Sequence, residues 1–172
     1  MEPKRIYHQV LARLAGRWPA LSHRLLAAFA PSARAEVVPW QPMVIPLAEA
    51  KIALVTTAGI HHRRQHPFDM LDSRGDPSFR VIDGRTIADD FVISHDYYDH
   101  RDADRDLNVV FPITRLREMQ AAGCIGALSA RHFAFMGHIL DAQAERLTAE
   151  FAPQVAAMAH EDQVDAVLLT PA

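Results

Sequence analysis

The chain has 172 residues and a mass of 19.2 kDa, which suits a single domain able to bury a core without a disulfide or metal staple. Its one cysteine, Cys124, excludes an intramolecular disulfide, a CxxC redox pair and a cysteine-based zinc site within one chain. A net charge of -3 and a pI near 6.3 give no global case for nucleic-acid binding.

No stretch reaches the 18 uninterrupted apolar residues of a membrane span. From Pro3 to Ala35 the chain carries Lys4, Arg5, Arg13, Arg17, Arg24 and Arg34 and no acidic residue. Arg13, Arg17 and Arg24 interrupt what a secretory signal needs as an apolar core. Ile6, Val10 and Leu14 recur at helical spacing, as do Leu21, Leu25 and Phe29, with Pro19 between them and Ser22 as a cap. This predicts a basic, amphipathic helical arm, suited to docking on the main domain or on an acidic partner or surface. Pro31, Pro39, Pro42 and Pro46 make the following stretch an extended connector. The boundary of the main domain is placed at 48/49.

Residues 51–57, KIALVTT, form a short β-branched apolar run that predicts a strand buried on both faces. Residues 60–106 are polar, with eleven aspartates against five arginines from Asp69 onward. Phe68, Phe79, Phe91, Tyr97 and Tyr98 argue that this stretch is ordered. It contains the strand-like piece 79–82. Residues 107–111 predict a second buried strand, followed by a helix capped by Thr114 and stopped by Gly123. Residues 124–128 predict a weak third strand. A helical region is expected from about 137 to 160, with Pro153 at a break or at a second helix start, and 165–170 as a final strand. Strands alternating with helices predict a three-layer α/β domain with a mostly parallel, Rossmann-like sheet.

Two constellations can carry chemistry. Residues 94–106, SHDYYDHRDADRD, hold His95, His100 and five aspartates. An EF-hand reading fails there, because the sixth loop position is Leu107 and the twelfth Ile113. Asp96, Tyr98, His100, Asp104, Arg105 and Asp106 are equally readable as a solvated loop of caps and ion pairs. Residues 131–138, RHFAFMGH, place His132 and His138 between a strand and a helix, where a helix start near Gly137 would favour a carboxylate. Core packing of Phe133, Phe135 and Met136 is the plainer alternative. Thr56, Thr57 and Gly59 close the first strand with hydroxyls and amides suited to an anion. There is no GxGxxG or Walker A pattern, and Cys124 sits in an apolar context without an evident base.

Taken together, VTTAGI at 55–60, GDPSFR at 75–80, ISHDYYDH at 93–100, DRDLN at 104–108, FPITRLR at 111–117, GCIG at 123–126, His132 with FMGH at 135–138 and DAVLLTP at 165–171 resemble one family. It is the selenoprotein B family of glycine/sarcosine/betaine reductase and D-proline reductase. The resemblance runs from about residue 50 onward, and the arm before Trp40 has no comparable motif.

The resemblance implies reductive cleavage of a carbon–nitrogen bond in glycine, sarcosine, betaine or a proline-like substrate, through a selenocysteine or cysteine and electrons from thiols. It also implies a pyruvoyl-type partner subunit, a thiol or selenol carrier protein, a hetero- or homo-oligomer and a cytoplasmic location. No cofactor is expected in this chain. In the family the nucleophile follows the strand ending in Thr-Pro, which here is Thr170-Pro171. The expectation is therefore a frame interrupted at a UGA codon for selenocysteine. His95 and His132 are the expected proton donors, and Thr56, Thr57, Gly59 and His138 the substrate-binding residues. Two other functions stay open: a non-catalytic binding subunit on the same scaffold, and a metal enzyme built on His95, His100 and the aspartates.

Overall fold

The structure is a computed structural model, and it describes residues 6–7, 10–14, 41–85 and 90–172. The chain divides into two compact units, one of Ile45–His95 with His100–Ala172, the other of Met1–Val44 with Asp96–Asp99. In the smaller unit residues 6–7 and 10–14 are helical. The rest of the expected arm, including Pro19, Ser22, Leu21, Leu25 and Phe29, lies outside the described residues. No helix among the described residues is long and apolar enough to cross a membrane.

The larger unit is a mixed α/β body around β1 (Lys51–Thr56). Ile52, Ala53 and Leu54 are buried, so both faces of β1 are covered, as its unbroken apolar sequence requires. β7 (Ala166–Thr170) pairs parallel along one edge of β1, from Ile52 opposite Ala166 to Thr56 opposite Thr170. The other edge is shared. β5 (Ala127–Leu128) pairs with Lys51 and Ile52, and β6 (Arg131–Ala134) with Val55 and Thr56, both parallel. β3 (Arg80–Asp83) closes the sheet antiparallel to β6. The sheet is thus mostly parallel and curled. β2 (Ile60–His62) and β4 (Phe91–Ile93) form a separate antiparallel pair.

Because β1 changes partner midway, a backbone gap opens between β5 and β6. Ser129 N–H bonds to Ile52 O at 2.9 Å, and Phe135 N–H to Thr56 O at 2.8 Å. Between them, Leu54 N–H donates to Nδ1 of His132 at 3.0 Å. A side chain therefore completes the ladder.

One face of the sheet carries Val55, Phe133, Phe135 and Val81. It packs on α3 (Asp141–Arg146), a π-helical turn (Leu147–Phe151) and α4 (Ala152–Glu161) through Leu147, Phe151, Val155 and Met158. Phe79 lies tilted on Phe135 and edge-on to Phe133 and Phe151, at centroid distances of 5.8, 6.2 and 6.4 Å. Pro153 sits in the first turn of α4, where its missing N–H costs nothing. The opposite face carries Leu54, Thr56 and His132 and meets residues 107–113.

Residues 107–111 are not a strand. Leu107–Val109 is a 3₁₀ turn followed by irregular chain. The Asp106 carboxylate accepts from Asn108 N–H at 3.0 Å and from Asn108 Nδ2 at 2.8 Å, which winds the backbone locally instead of extending it. Val110 and Phe111 are buried all the same, which is why the run reads like a strand. α2 (Ile113–Ala121) has Pro112 as its N-cap, two residues before the expected Thr114 cap. Thr114 N–H is bound by Asn108 Oδ1 at 3.1 Å. α2 does stop at Gly123, with φ of 72°, where Gly123 N–H and Cys124 N–H bond back to Gln120 O and Met119 O. α1 (Arg101–Arg105) is one short turn that bonds internally through His100 and Asp104.

Candidate functional site at the carboxyl ends of β1 and β7

Ligands of parallel sheets bind beyond the carboxyl ends of strands. Here those ends are Thr56–Thr57 and Thr170–Ala172. Thr57 N–H bonds to Thr170 O at 3.1 Å, and Ala172 N–H to Thr57 Oγ1 at 3.0 Å, so the two strands stay joined past their last ladder pair. The hydroxyls of Thr56 and Thr170 both donate to the Val110 carbonyl, at 2.8 and 2.7 Å. Thr56 Oγ1 also accepts from Ala58 N–H at 3.2 Å. Thr56 is fully buried and its hydroxyl is engaged within the protein, whereas Thr57 is half-buried at the rim.

Gly59 turns the chain with φ of 67°. A Cβ there would lie 2.7 Å from Cβ of His95, so only glycine lets the Ser94–His95 segment cross at this point. Gly59 N–H bonds to Phe135 O and Ser94 N–H to Gly59 O, at 2.8 and 2.9 Å. His95 is buried at the end of this crossing. Gly137 marks where the pieces converge. A Cβ at this exposed position would lie 2.6 Å from Ala172 O, 3.2 Å from Thr57 O and 3.2 Å from Nε2 of His95. Two backbone carbonyls and an imidazole nitrogen therefore close in on Gly137.

His61 supports this crossing from β2. Its Nδ1–H donates to His62 O at 2.9 Å, because a carbonyl can only accept. Burial lowers its pKa and keeps the ring neutral, so Nε2 accepts from the Ser94 hydroxyl at 2.7 Å. The His61–Ser94 pair was not singled out in the sequence; its two members are thirty-three residues apart and only the β2–β4 pairing joins them.

The other expected site residues fall elsewhere. His132 lies inside the sheet, fully buried, edge-on to Phe111 at 5.9 Å, with Nδ1 bound to β1. Burial, reinforced by the Arg117 charge, lowers its pKa to about 4. It is neutral near pH 7 and set back from the rim. His138 Nε2–H donates to Ser73 O at 2.9 Å, fastening residues 137–140 to the 72–75 turn. α3 begins at Asp141 rather than near Gly137, so His138 does not stand at a helix start.

His100 Nδ1 meets Asp104 at 2.7 Å, Arg105 meets Asp102 at 3.3 Å, and Asp106 caps the 3₁₀ turn. These contacts are ion pairs and a cap local to residues 100–108. Asp96 is buried and Tyr98 half-buried, both in the smaller unit. Among the described residues no three His, Cys, Asp or Glu side chains gather as a metal site. A cavity of about 590 Å³ lies along β4 and α1, lined by Arg63, Phe91, Ile93, Asp104 and Arg105; His95 does not line it.

Cys124 is exposed just before β5. β5 pairs with Lys51 and Ile52 at the amino end of β1, so Cys124 lies at least ~15 Å along the strand from Thr57, at about 3.3 Å per residue. It does not reach the carboxyl-edge site.

The model of the glycine/sarcosine/betaine reductase selenoprotein B family matches residues 27–172. The chain belongs to that family. It is 38% identical over 131 residues to D-proline reductase subunit gamma of Acetoanaerobium sticklandii, covering 76% of this chain and 52% of that one. It is 33% identical over 137 residues to glycine reductase complex component B subunit gamma of Carboxydothermus hydrogenoformans, covering 77% and 30%. It is 31% identical over 96 residues to sarcosine reductase complex component B subunit beta of Peptoclostridium acidaminophilum, covering 54% and 22%. The chain thus spans about half the length, or less, of these selenoprotein B relatives. No solved structure matches it.

Proposed function

We propose that this chain builds the carboxyl-edge part of the active site in a selenol- or thiol-dependent reductase subunit that cleaves the C–N bond of a small amino acid or related amine. Glycine, sarcosine, betaine and proline-like compounds are the candidate substrates, by analogy with the substrates in the relatives' names. The observation that carries this reading is the convergence of Thr57 O, Ala172 O and His95 Nε2 on Gly137 at the shared end of β1 and β7.

In this reading a selenolate or thiolate attacks the carbon bearing nitrogen. The C–N bond breaks, its electron pair leaves with nitrogen, and His95 supplies the proton. A second thiol then attacks the selenium or sulfur and gives its proton to the departing carbon, releasing the reduced carbon compound and leaving a selenenyl-sulfide or disulfide, so the two electrons come from the thiols. Thr57 and the Gly59 turn shape the substrate pocket, and Thr56, His132 and His138 act as positioning residues. The nucleophile comes from outside residues 1–172, since the chain's single cysteine lies at the other end of the sheet. A pyruvoyl-type subunit and a thiol or selenol carrier complete a cytoplasmic hetero-oligomer.

One measurement tests this. In the subunit carrying its nucleophile, His95→Asn is expected to lower thiol-dependent amine release at least tenfold. Unchanged turnover removes His95 as proton donor. The placement of Cys124 also favours a second reading, a non-catalytic binding subunit, which would bind the amino acid without releasing amine from it.

A further inference from the structure

We infer that the free side of β7, with the apolar groove beside it, is the seat of a further helix–strand unit supplied by polypeptide outside residues 1–172. Among the described residues β7 pairs only with β1. Its middle residues Val167, Leu168 and Leu169 are 44, 40 and 68% exposed. Its sequence AVLLT holds no charge or proline. Natural sheets guard such an edge with charge, proline or a covering element, because an open apolar edge recruits other chains. A groove of about 320 Å³ adjoins it, lined wholly by apolar side chains, among them Val55, Phe135, Val155, Val167 and Leu169.

The topology says what fits. β6 leads through α3 and α4 to β7, crossing β1, with the helices on the face of Phe133 and Val155. Parallel crossovers are right-handed. A unit that continues outward from β7 in the same direction must therefore place its helix on that same face. That position is over Val167 and Leu169, alongside α4, which is the groove. Its strand then pairs with the free edge of β7, and the helix starts above the carboxyl-edge site. A second copy of the chain fits less well. Antiparallel pairing of β7 with its symmetry mate would lengthen the sheet and leave the groove open. The relatives supply the needed length, since this chain covers 52% of D-proline reductase subunit gamma. The inference rests on the sheet and on that length, not on the proposed chemistry, so its failure leaves the C–N cleavage reading standing.

The test compares residues 1–172 alone with a fusion to the part of Acetoanaerobium sticklandii D-proline reductase subunit gamma that follows its counterpart of Thr170. Amide hydrogen exchange over 165–170, fluorescence of a hydrophobic dye and molar mass by light scattering are read on both. The chain alone is expected to be monomeric, to bind dye and to exchange at β7 at least tenfold faster than at β1. The fusion is expected to slow β7 exchange at least tenfold and to lose dye binding. Val167→Asp with Leu169→Asp is expected to restore both in the fusion while β1 stays protected. Equal β7 exchange and dye binding in chain and fusion overturn the inference. So does a dimer of the chain alone with β7 already protected. If the fusion does not fold, the same continuation is added as a separate peptide to folded 1–172, and unchanged β7 exchange at saturation overturns the inference.

Discussion

Nδ1 of His132 accepts the Leu54 N–H at 3.0 Å and so stands in for a strand carbonyl at the point where β1 changes partner from β5 to β6. Replacing His132 with Ala leaves a buried N–H unsatisfied and a ring-sized void beside Phe111. The unpaired group costs about 1–3 kcal/mol, and the void adds to it. His132→Ala is expected to lower unfolding stability by about 3–5 kcal/mol in urea titrations at pH 7. His132→Asn, whose side-chain oxygen can accept from Leu54 N–H, is expected to recover part of the loss. A loss below about 1 kcal/mol for Ala would show that the ladder does not need the ring.

The same bond sets a pH dependence. His132 is held at about 4 against an ordinary 6.5, chiefly by burial. The unfolded chain binds a proton there at higher pH than the folded chain does, so stability rises with pH across this window. The His132 contribution is complete above pH 6.5 and is lost as pH falls towards 4, a difference of about 3 kcal/mol at 1.36 kcal/mol per unit. His61, also lowered by burial, acts in the same direction. Urea midpoints measured from pH 7.5 to 4.5 are expected to fall in the wild-type chain and to fall distinctly less in His132→Asn. Parallel slopes in the two proteins would assign the acid sensitivity elsewhere.

The Val110 carbonyl receives two hydroxyls, from Thr56 and Thr170. One acceptor with two donors makes the two residues energetically unequal to their sum. Thr170→Val leaves Val110 O bound by Thr56 and is expected to cost about 1 kcal/mol. Thr56→Val also removes the Thr56 Oγ1 that accepts from Ala58 N–H and is expected to cost about 2 kcal/mol. The double variant leaves the buried carbonyl without either donor. Its loss is expected to exceed the sum of the singles by about 1 kcal/mol. Additivity within experimental error would mean that the Val110 carbonyl finds a replacement partner such as water.

The readable parts of the sequence were those whose burial is uniform or whose ends carry a marker. β1 and β7 are unbroken apolar runs, Gly123 stops α2, and Pro153 opens α4. Residues 107–111 misled because burial of Val110 and Phe111 is compatible with strand or turn, and the Asp106–Asn108 bonds decide for the turn. β6 was hidden inside RHFAFMGH because its neighbours on both sides are distant in sequence. At the candidate site, Thr57, Gly59 and His95 stand out in the sequence as strand-end and loop residues. The supporting role of His132 was not, since nothing local reveals that a side chain will replace a carbonyl in a ladder. The His61–Ser94 pair was equally silent, being set by the register of β2 on β4.

Two glycines at the site make different predictions about stability and geometry. Gly59 has φ of 67°, a conformation that costs a residue with a side chain about 1–2 kcal/mol, and its Cβ would meet His95 Cβ at 2.7 Å. Neither atom can yield without moving the backbone of β2 or of the 94–95 crossing. Gly59→Ala is expected to lower stability by about 2–4 kcal/mol and to disturb His95 by displacing its backbone. Gly137 has no such strain and is exposed, and its Cβ would press on Ala172 O and on Nε2 of His95. Because the atom met at 2.6 Å is the Ala172 backbone oxygen, Gly137→Ala is expected to cost about 1–2 kcal/mol while shifting the His95 ring nitrogens. Long-range proton–nitrogen correlation spectra of the imidazoles, read beside urea midpoints, separate the two effects. Gly137→Ala should move the His95 signals and leave those of His132 in place with a modest fall in midpoint; Gly59→Ala, which adds the cost of a positive φ, should move His95 and lower the midpoint further. Unmoved His95 signals in Gly137→Ala would mean that His95 does not face Gly137, and the site at the ends of β1 and β7 would lose its proposed proton donor.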